Sequence, residues 1–359
     1  MDIKRILCMV CSAVMLLTIS GCGNNDDRAE YSSMLEGFKA EIHNNAGGRG
    51  PVPVTRNCKI GSVNMGMNGE WFSEAMNGIW DASQDLGVTA MMLDSDGDME
   101  KEKENIRRLV DEGIDALVIS PRDSTESIEA LKPAIDAHIP IVTWNTNVNT
   151  DVTSFVCVDS KTLGGDTGNY LCEYIKTYGL RDIDLIIIEN RNYDVGIARC
   201  DGFRTSIKTM LDRGMIRIVA QEPAETFDAG SEVTAKLLQE HPETDAIWVW
   251  NQPSLLGTID AVKKSGRTDI LIMGADMSME LANDMLGDEV KLLSITTQLP
   301  YNMGYKAVTI AVDALNGKPV DRTVFIPLFT YTKDDRALVE RYIEAHKDLI
   351  TWEGGQWYE

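Results

Sequence analysis

The chain has 359 residues, of which 43% are hydrophobic and 25% charged, enough for two domains with cores of their own. Its formal net charge of -22 excludes a nucleic-acid surface and adhesion to anionic lipid by charge alone. The four histidines (His43, His138, His241, His346) are dispersed and no Cys stands at metal-ligand spacing beside them, so neither a metal nor a cofactor is expected.

Residues 1–22 read as a secretory leader, with Lys4 and Arg5 at the start and an apolar run from Ile6 to Ile19 too short for a comfortable membrane span. The run ends Ile19-Ser20-Gly21-Cys22, similar to a bacterial lipobox, which predicts that Cys22 becomes the lipidated N-terminus; a simple leader with a chance Cys is the plainer alternative. Loss of residues 1–21 would leave a net charge of -23. Cys8 and Cys11 form a CxxC inside the apolar run, which makes it no redox site. Residues 23–56, rich in Gly, Asn and Pro around 44–53, read as a tether with an end-to-end reach of about 30 Å. Cys58, Cys157, Cys172 and Cys200 form no disulfide framework and are expected to be structural thiols, with a disulfide among them left open.

Strands and helices then alternate. Lys59–Met65 alternates at period two, breaks at Gly66 and Gly69, and resumes at helical spacing with Phe72, Ala75, Met76, Ile79 and Trp80. Neighbours on a helix point about 100° apart, so Trp71 and Phe72 cannot share one core-facing stripe. Strands follow near Val88–Leu93, Ile114–Ile119, Ile139–Trp144 and Ser154–Val158, with helices near Met99–Glu112 and Thr125–Ala137 between them. In the second half, strands near Ile183–Ile188, Ile216–Ala220, Ala246–Trp250, Ile270–Met273 and Leu292–Thr296 accompany helices near Leu163–Tyr178, Ile197–Leu211, Ala229–Gln239, Leu255–Lys264 and Asn302–Leu315. A strand near Val324–Phe329, a helix Asp334–His346 and a packed tail close the chain. This punctuation predicts an α/β protein with two doubly wound parallel sheets.

Phosphate and nucleotide motifs are absent: there is no GxxxxGK[ST], and Gly61, Gly66 and Gly69 do not make GxGxxG. Asp94-Ser95-Asp96-Gly97-Asp98 fails as a calcium loop, since Met99 stands where Gly is needed and Asn105 where Glu is needed. No GxSxG elbow or HExxH helix occurs, and an enzyme is not expected.

Open α/β sheets bind ligands beyond the carboxyl ends of their strands. Those positions carry Trp71, Phe72, Asn145, Arg199, Phe227, Asn251, Asp276 and Gln298. Aromatic faces suit the C–H face of a sugar and planar polar groups suit vicinal hydroxyls, without a nucleophile or an acid–base pair. Each residue has a plainer reading. Asn251 and Asp276 could cap helices, Arg199 could pair with Asp194 or Asp201, Phe227 could be core, and Gln298 could be a solvated loop residue.

From Asn57 to about Phe329 the chain also resembles the ribose-type sugar-binding proteins of bacterial ABC importers. IPIVTWN, VDSKTLGGDTGNYL, IARCDGF, WVWNQPSLLGTIDAVKKSG, DILIMGAD and ITTQLPYNMG carry the resemblance. It implies a type I periplasmic-binding-protein fold whose two lobes, 57–158 plus 299–327 and 159–298 plus 328–359, close on a ligand. The implied crossovers lie near Val158–Asp159, Gln298–Leu299 and Pro327–Phe329. It implies that Trp71 and Phe72 stack on a sugar, that Arg199 donates to two hydroxyls, and that Phe227, Asn251, Asp276 and Gln298 complete the site. Two positions depart from the pattern. Asn145-Thr146 stands where the family often has Asp-Arg, and Gly69 where it often has Asn or Asp, which puts ribose itself in doubt.

The implied role is a monomeric, lipid-anchored extracytoplasmic protein that delivers a carbohydrate or polyol to ABC permease subunits. The alternative is a sugar sensor feeding a kinase or chemoreceptor. A repressor is excluded by the leader where a DNA-binding helix-turn-helix would stand. Asp276→Ala and Arg199→Ala are expected to remove most binding with little loss of stability.

Overall fold

The computed structural model describes residues 58–347 other than Asn68 and Tyr193, together with the backbone of Trp357–Tyr358. The leader, Cys22 and the tether lie outside the described residues.

The first sheet holds β1 (Lys59–Asn64), β2 (Thr89–Asp94), β3 (Ala116–Ser120), β4 (Ile141–Trp144) and β5 (Ser154–Cys157). Its helices are α1 (Glu70–Leu86), α2 (Met99–Asp111) and α3 (Ser127–Asp136). The second holds β6 (Ile183–Glu189), β7 (Ile216–Pro223), β8 (Ala246–Val249), β9 (Leu271–Ala275) and β10 (Lys291–Thr297). Its helices are α4 (Ser160–Tyr178), α5 (Asp194–Asp212), α6 (Phe227–Glu240), α7 (Gln252–Ser265) and α8 (Met279–Leu286). The chain ends with α9 (Pro300–Leu315), β11 (Thr323–Phe325), β12 (Phe329–Thr332), α10 (Arg336–His346) and β13 (Trp357–Tyr358).

The sheet orders are β11-β5-β4-β3-β1-β2-β13 and β12-β10-β9-β8-β6-β7. Both contain the same parallel doubly wound core, in which β1 and β6, β3 and β8, and β4 and β9 hold equivalent places. Each order reverses beside its first strand, so each lobe has a switch point at β1/β3 or β6/β8. The chain passes between sheets at 158–159, 298–299 and 326–328, and again between α10 and β13.

The unbroken apolar run of β6 follows from burial on both faces. Ile186 and Ile188 join one cluster with Ile247, Val249, Ile272 and Leu292, while Leu185 and Ile187 join another with Trp248, Met273 and Phe203. Burying each of these aliphatic side chains contributes about 1.5–3 kcal/mol. Three helix pairs approach so closely that only glycine fits at the crossing, namely Gly78 and Gly304 in α1/α9, Gly164 and Gly202 in α4/α5, and Gly230 and Gly257 in α6/α7. A Cβ at Gly164 would overlap the Arg199 carbonyl, so this packing sets where α5 carries Arg199.

Several elements differ from the sequence expectation. Helices α4, α6 and α7 start two or three residues earlier than expected, because Asp159, Thr226 and Asn251 accept hydrogen bonds from their first-turn N–H groups. α8 was not expected; it has eight residues, with Ser278 as its cap. The single strand expected over Val324–Phe329 is two strands, β11 parallel to β5 in one sheet and β12 antiparallel to β10 in the other, with Pro327 between them. Trp357 and Tyr358, assigned from the sequence to the second lobe, belong to the first sheet, where β13 pairs antiparallel with Met91 and Met92 of β2. Among the described residues no helix is long and apolar enough to cross a membrane.

Candidate functional site

The carboxyl ends of the two parallel cores carry the residues singled out from the sequence. On the first lobe, Trp71 and Phe72 lie in the first turn of α1, both half-buried, with ring centroids 5.0 Å apart in an edge-to-face pair. Trp71 also stacks on Trp144, the last residue of β4, at 6.1 Å and 23°. Trp144 is fully buried and backs Trp71, so the cluster holds three rings. Asn145 follows it with φ 62°, and its Nδ2 donates to Ser120 Oγ at 3.4 Å and faces Met65 Sδ at 3.9 Å. Ser120 ends β3, so β1, β3 and β4 all contribute to this face.

The second lobe presents a charged network. Arg199 Nη1 donates to Asp276 Oδ2 at 2.8 Å and to the Trp250 carbonyl at 2.9 Å. Gln298 Nε2 donates to the other Asp276 oxygen at 2.7 Å. Arg199, Asp276 and Gln298 are 4%, 8% and 7% exposed, so this is a buried, ordered triad. Arg199 Nε and Trp71 Nε1 have no protein partner. Asp276 has φ 66°, a left-handed conformation that costs energy for a non-glycine residue. The triad fixes it there.

Asn251 Oδ1 accepts from Ser254 N–H at 3.2 Å and also from the Ser254 hydroxyl, while its Nδ2 donates to the Glu225 carbonyl at 3.0 Å. Its amide is therefore occupied within the lobe, as the helix-cap reading holds. Asp276 does not cap α8; Ser278 does. Arg199 pairs with neither Asp194 nor Asp201, and the latter receives Arg191. Phe227 is 43% exposed and not core, and Gln298 is buried and not solvated.

The triad corrects one expectation. Removing either member of a buried ion pair leaves a charge without compensation, at a cost of about 3–5 kcal/mol. Asp276→Ala and Arg199→Ala are thus expected to reduce stability as well as any binding.

Trp144, Ser120, Trp250 and Asn190 were not singled out from the sequence, though all end or follow a strand. Trp250 is pinned by Nε1 donating to the Ala224 carbonyl at 2.6 Å, and Asn190 donates to Glu225 Oε2 at 3.3 Å. Cys58, Cys157, Cys172 and Cys200 are buried free thiols, and burial pushes the Cys200 thiol up to about 12, out of reach of thiolate chemistry. No group of acidic, His or Cys residues suited to a metal occurs among the described residues.

The periplasmic binding protein domain family matches residues 60–319. The ribose import binding protein of Salmonella typhimurium is 28% identical over 257 residues, covering 71% of this chain and 83% of that protein. The Bacillus subtilis ribose import binding protein is 26% identical over 264 residues, covering 73% and 83%. A periplasmic ribose ABC transporter structure from Conexibacter woesei superposes with a TM-score of 0.71 at 20% identity, covering 84% of this chain and 100% of that one. The periplasmic binding protein component of the arabinose ABC transporter from Shewanella sp. ANA-3, bound to arabinofuranose, gives 0.70 at 22% identity, covering 83% and 99%. These structures share the fold described above.

Proposed function

We propose, because the chain belongs to the periplasmic binding protein domain family, that it is the extracytoplasmic substrate-binding component of a bacterial ABC sugar importer. The observation that carries this reading is the presence of two unlike faces, one at the carboxyl ends of each sheet. One is an aromatic wall of Trp71 and Phe72 backed by Trp144; the other is the Arg199–Asp276–Gln298 triad. A sugar or polyol has one surface for each: C–H groups for the rings, hydroxyls for the guanidinium, carboxylate and amides. Asn145 would complete the polar set on the first lobe, and Phe227 and Asn251 would border the second.

Capture works by closure. The passages at 158–159, 298–299 and 326–328 form the hinge, and a ligand that touches both lobes favours the state in which they meet. Micromolar affinity corresponds to about -8 kcal/mol, within reach of several charge-assisted hydrogen bonds and stacked rings after the costs of binding. Lipidation at Cys22 would hold the protein at the membrane beside its permease subunits.

A thermal-shift and calorimetric screen against pentoses, hexoses and polyols tests the reading. Binding of at least one, with loss of that binding on Trp71→Ala, is the expected result. Binding of an amino acid or another non-sugar in place of all of these would overturn it.

A further inference from the structure

The two lobes touch through a polar cluster beside α8, built in part from residues beyond the family match at 60–319. Glu70, in the first turn of α1 on the first lobe, accepts from the Met279 N–H of α8 on the second, at 2.9 and 3.0 Å to its two oxygens. A carboxylate at a helix N-terminus is held by unpaired N–H groups and by the helix dipole. Here that carboxylate comes from the opposite lobe. Tyr342 of α10, which packs on α8 and β12, donates its hydroxyl towards Glu70 Oε1 at 3.0 Å and Glu74 Oε1 at 3.2 Å. His346, one turn on, stacks on Tyr342 with centroids 3.8 Å apart and brings Nε2 to 3.3 Å from Glu74 Oε1.

The histidine's hydrogen bonds define its charge. Nδ1 lies 2.7 Å from the Tyr342 carbonyl, which can only accept, so Nδ1 carries a proton. Nε2 faces a carboxylate oxygen, which accepts as well. Only the imidazolium satisfies both. Burial pulls the His346 pKa down, but the hydrogen bond and charge of Glu74 outweigh it and the net direction is up from the ordinary 6.5. Burial likewise raises Glu70, against the opposing hydrogen bonds from Met279 and Tyr342. Burial and both carboxylates raise Tyr342, which stays a donor.

The groups facing this cluster are Glu70 and Glu74 from α1, the Met279 N–H from α8 and Tyr331 from β12, whose ring meets Tyr342 at 5.4 Å. The cations Lys333 and Arg336 are held at the far end of α8 on the carbonyls of Met285, Gly287 and Leu286.

We propose that Glu70, Glu74, Tyr342 and His346 are a proton-linked clasp between the lobes that regulates ligand capture, a role that rests on the binding function above. Trp71 adjoins Glu70 in the same turn, so engaging the clasp also positions the aromatic wall. The sign follows from His346. A group whose pKa is higher in the clasped state stabilises that state fully below its unclasped value, and the stabilisation is lost as pH rises through the clasped value. Glu70, raised as well, acts in the same direction at lower pH. Closure therefore takes up protons and weakens from neutral towards alkaline pH.

Small-angle scattering of the full-length, ligand-free protein tests this without a sugar. The expected result is a smaller radius of gyration at about pH 6 than at about pH 8.5, with the difference lost in His346→Gln and reduced in Tyr342→Phe. Equal radii at both pH values, or the same contraction in His346→Gln, would overturn the clasp. Circular dichroism of both variants identifies any that fails to fold, and the other then decides. Calorimetry with D-ribose, D-galactose and myo-inositol in buffers of differing ionisation enthalpy adds a second readout. The sugar that binds should do so with net proton uptake and several-fold more weakly at the higher pH, both effects being lost in His346→Gln. Binding without uptake would overturn the clasp and leave the binding function standing. If none of the three binds, the choice of sugar fails and the scattering still judges the clasp.

Discussion

Asn145 and Asp276 hold the same place in the two lobes. Each follows the strand next but one to its lobe's first strand, β4 or β9, and each has a left-handed backbone, φ 62° and 66°. Each donates its N–H to the next strand, Asn145 to the Val156 carbonyl at 3.1 Å and Asp276 to Thr296 at 3.0 Å. The chemistry around them differs. Asp276 anchors a buried ion pair, while Asn145 makes only long contacts to Ser120 and Met65 beneath an aromatic wall. One backbone device thus carries a rigid charged network on the second lobe and neutral side chains beside aromatic rings on the first. Strained backbone at equivalent positions is retained where its surroundings over-determine it, and only the second lobe supplies such surroundings through charge.

The charged side should therefore be the harder to change. Asp276→Ala removes the partner of Arg199 and of Gln298, and should lower unfolding stability in urea by about 3–5 kcal/mol while removing sugar binding. If stability is unchanged, the triad is not the organising feature of this lobe. Gly164→Ala attacks the same side from behind, because the new methyl would meet the Arg199 carbonyl. A loss of about 1–3 kcal/mol is expected, with weaker binding. Gly165 provides the control, since a Cβ there meets nothing closer than 3.8 Å. Gly165→Ala should raise the melting temperature, by a gain of about 0.5–1 kcal/mol for alanine inside a helix. Equal effects at the two glycines would show that close approach does not set the position of α5.

On the aromatic side, the effect should fall on binding and not on folding. Trp71→Ala removes a half-buried ring and leaves Trp144 in its strand. Sugar affinity measured by calorimetry should fall by about 1.5 kcal/mol, roughly tenfold. Trp71→Phe should recover part of it.

The unequal lobes also explain what could be read from the chain alone. Repeated strand–helix spacing and the run Ile183–Ile188 disclose two parallel sheets because burial on both faces leaves a local mark. Strand ends are local too, so Asp276 and Gln298 could be named, while Arg199, inside α5, was marked by the IARCDGF resemblance. Their mutual pairing could not, for Arg199 and Asp276 are 77 residues apart in the chain. The helix α8 escaped because its few buried positions, Leu281, Ala282 and Met285, leave little periodicity, and part of its support comes from Glu70 in the other lobe. Trp144 looked like strand core, which it is; that it also supports Trp71 is a tertiary fact. The Glu70–Tyr342 contact spans 272 residues and has no signature in either segment.

The smallest expected effect is the sharpest test of the comparison. Asn145→Asp gives the first lobe the residue that the second already has, in a backbone conformation both side chains tolerate. Asn145 Nδ2 donates only at 3.4 Å to Ser120 Oγ, and that hydroxyl can rotate to donate to a carboxylate, so the folding cost should stay under about 1 kcal/mol. Thr146, not an arginine, is the next residue in the chain. The added carboxylate would bring acceptor capacity to the end of β4. A hydroxyl-rich ligand should then gain a charge-assisted hydrogen bond, and the order of affinities across pentoses, hexoses and polyols should change while the melting temperature falls by a few degrees at most. An unchanged order would mean that the ligand is read by the second lobe alone, with the first contributing only its rings.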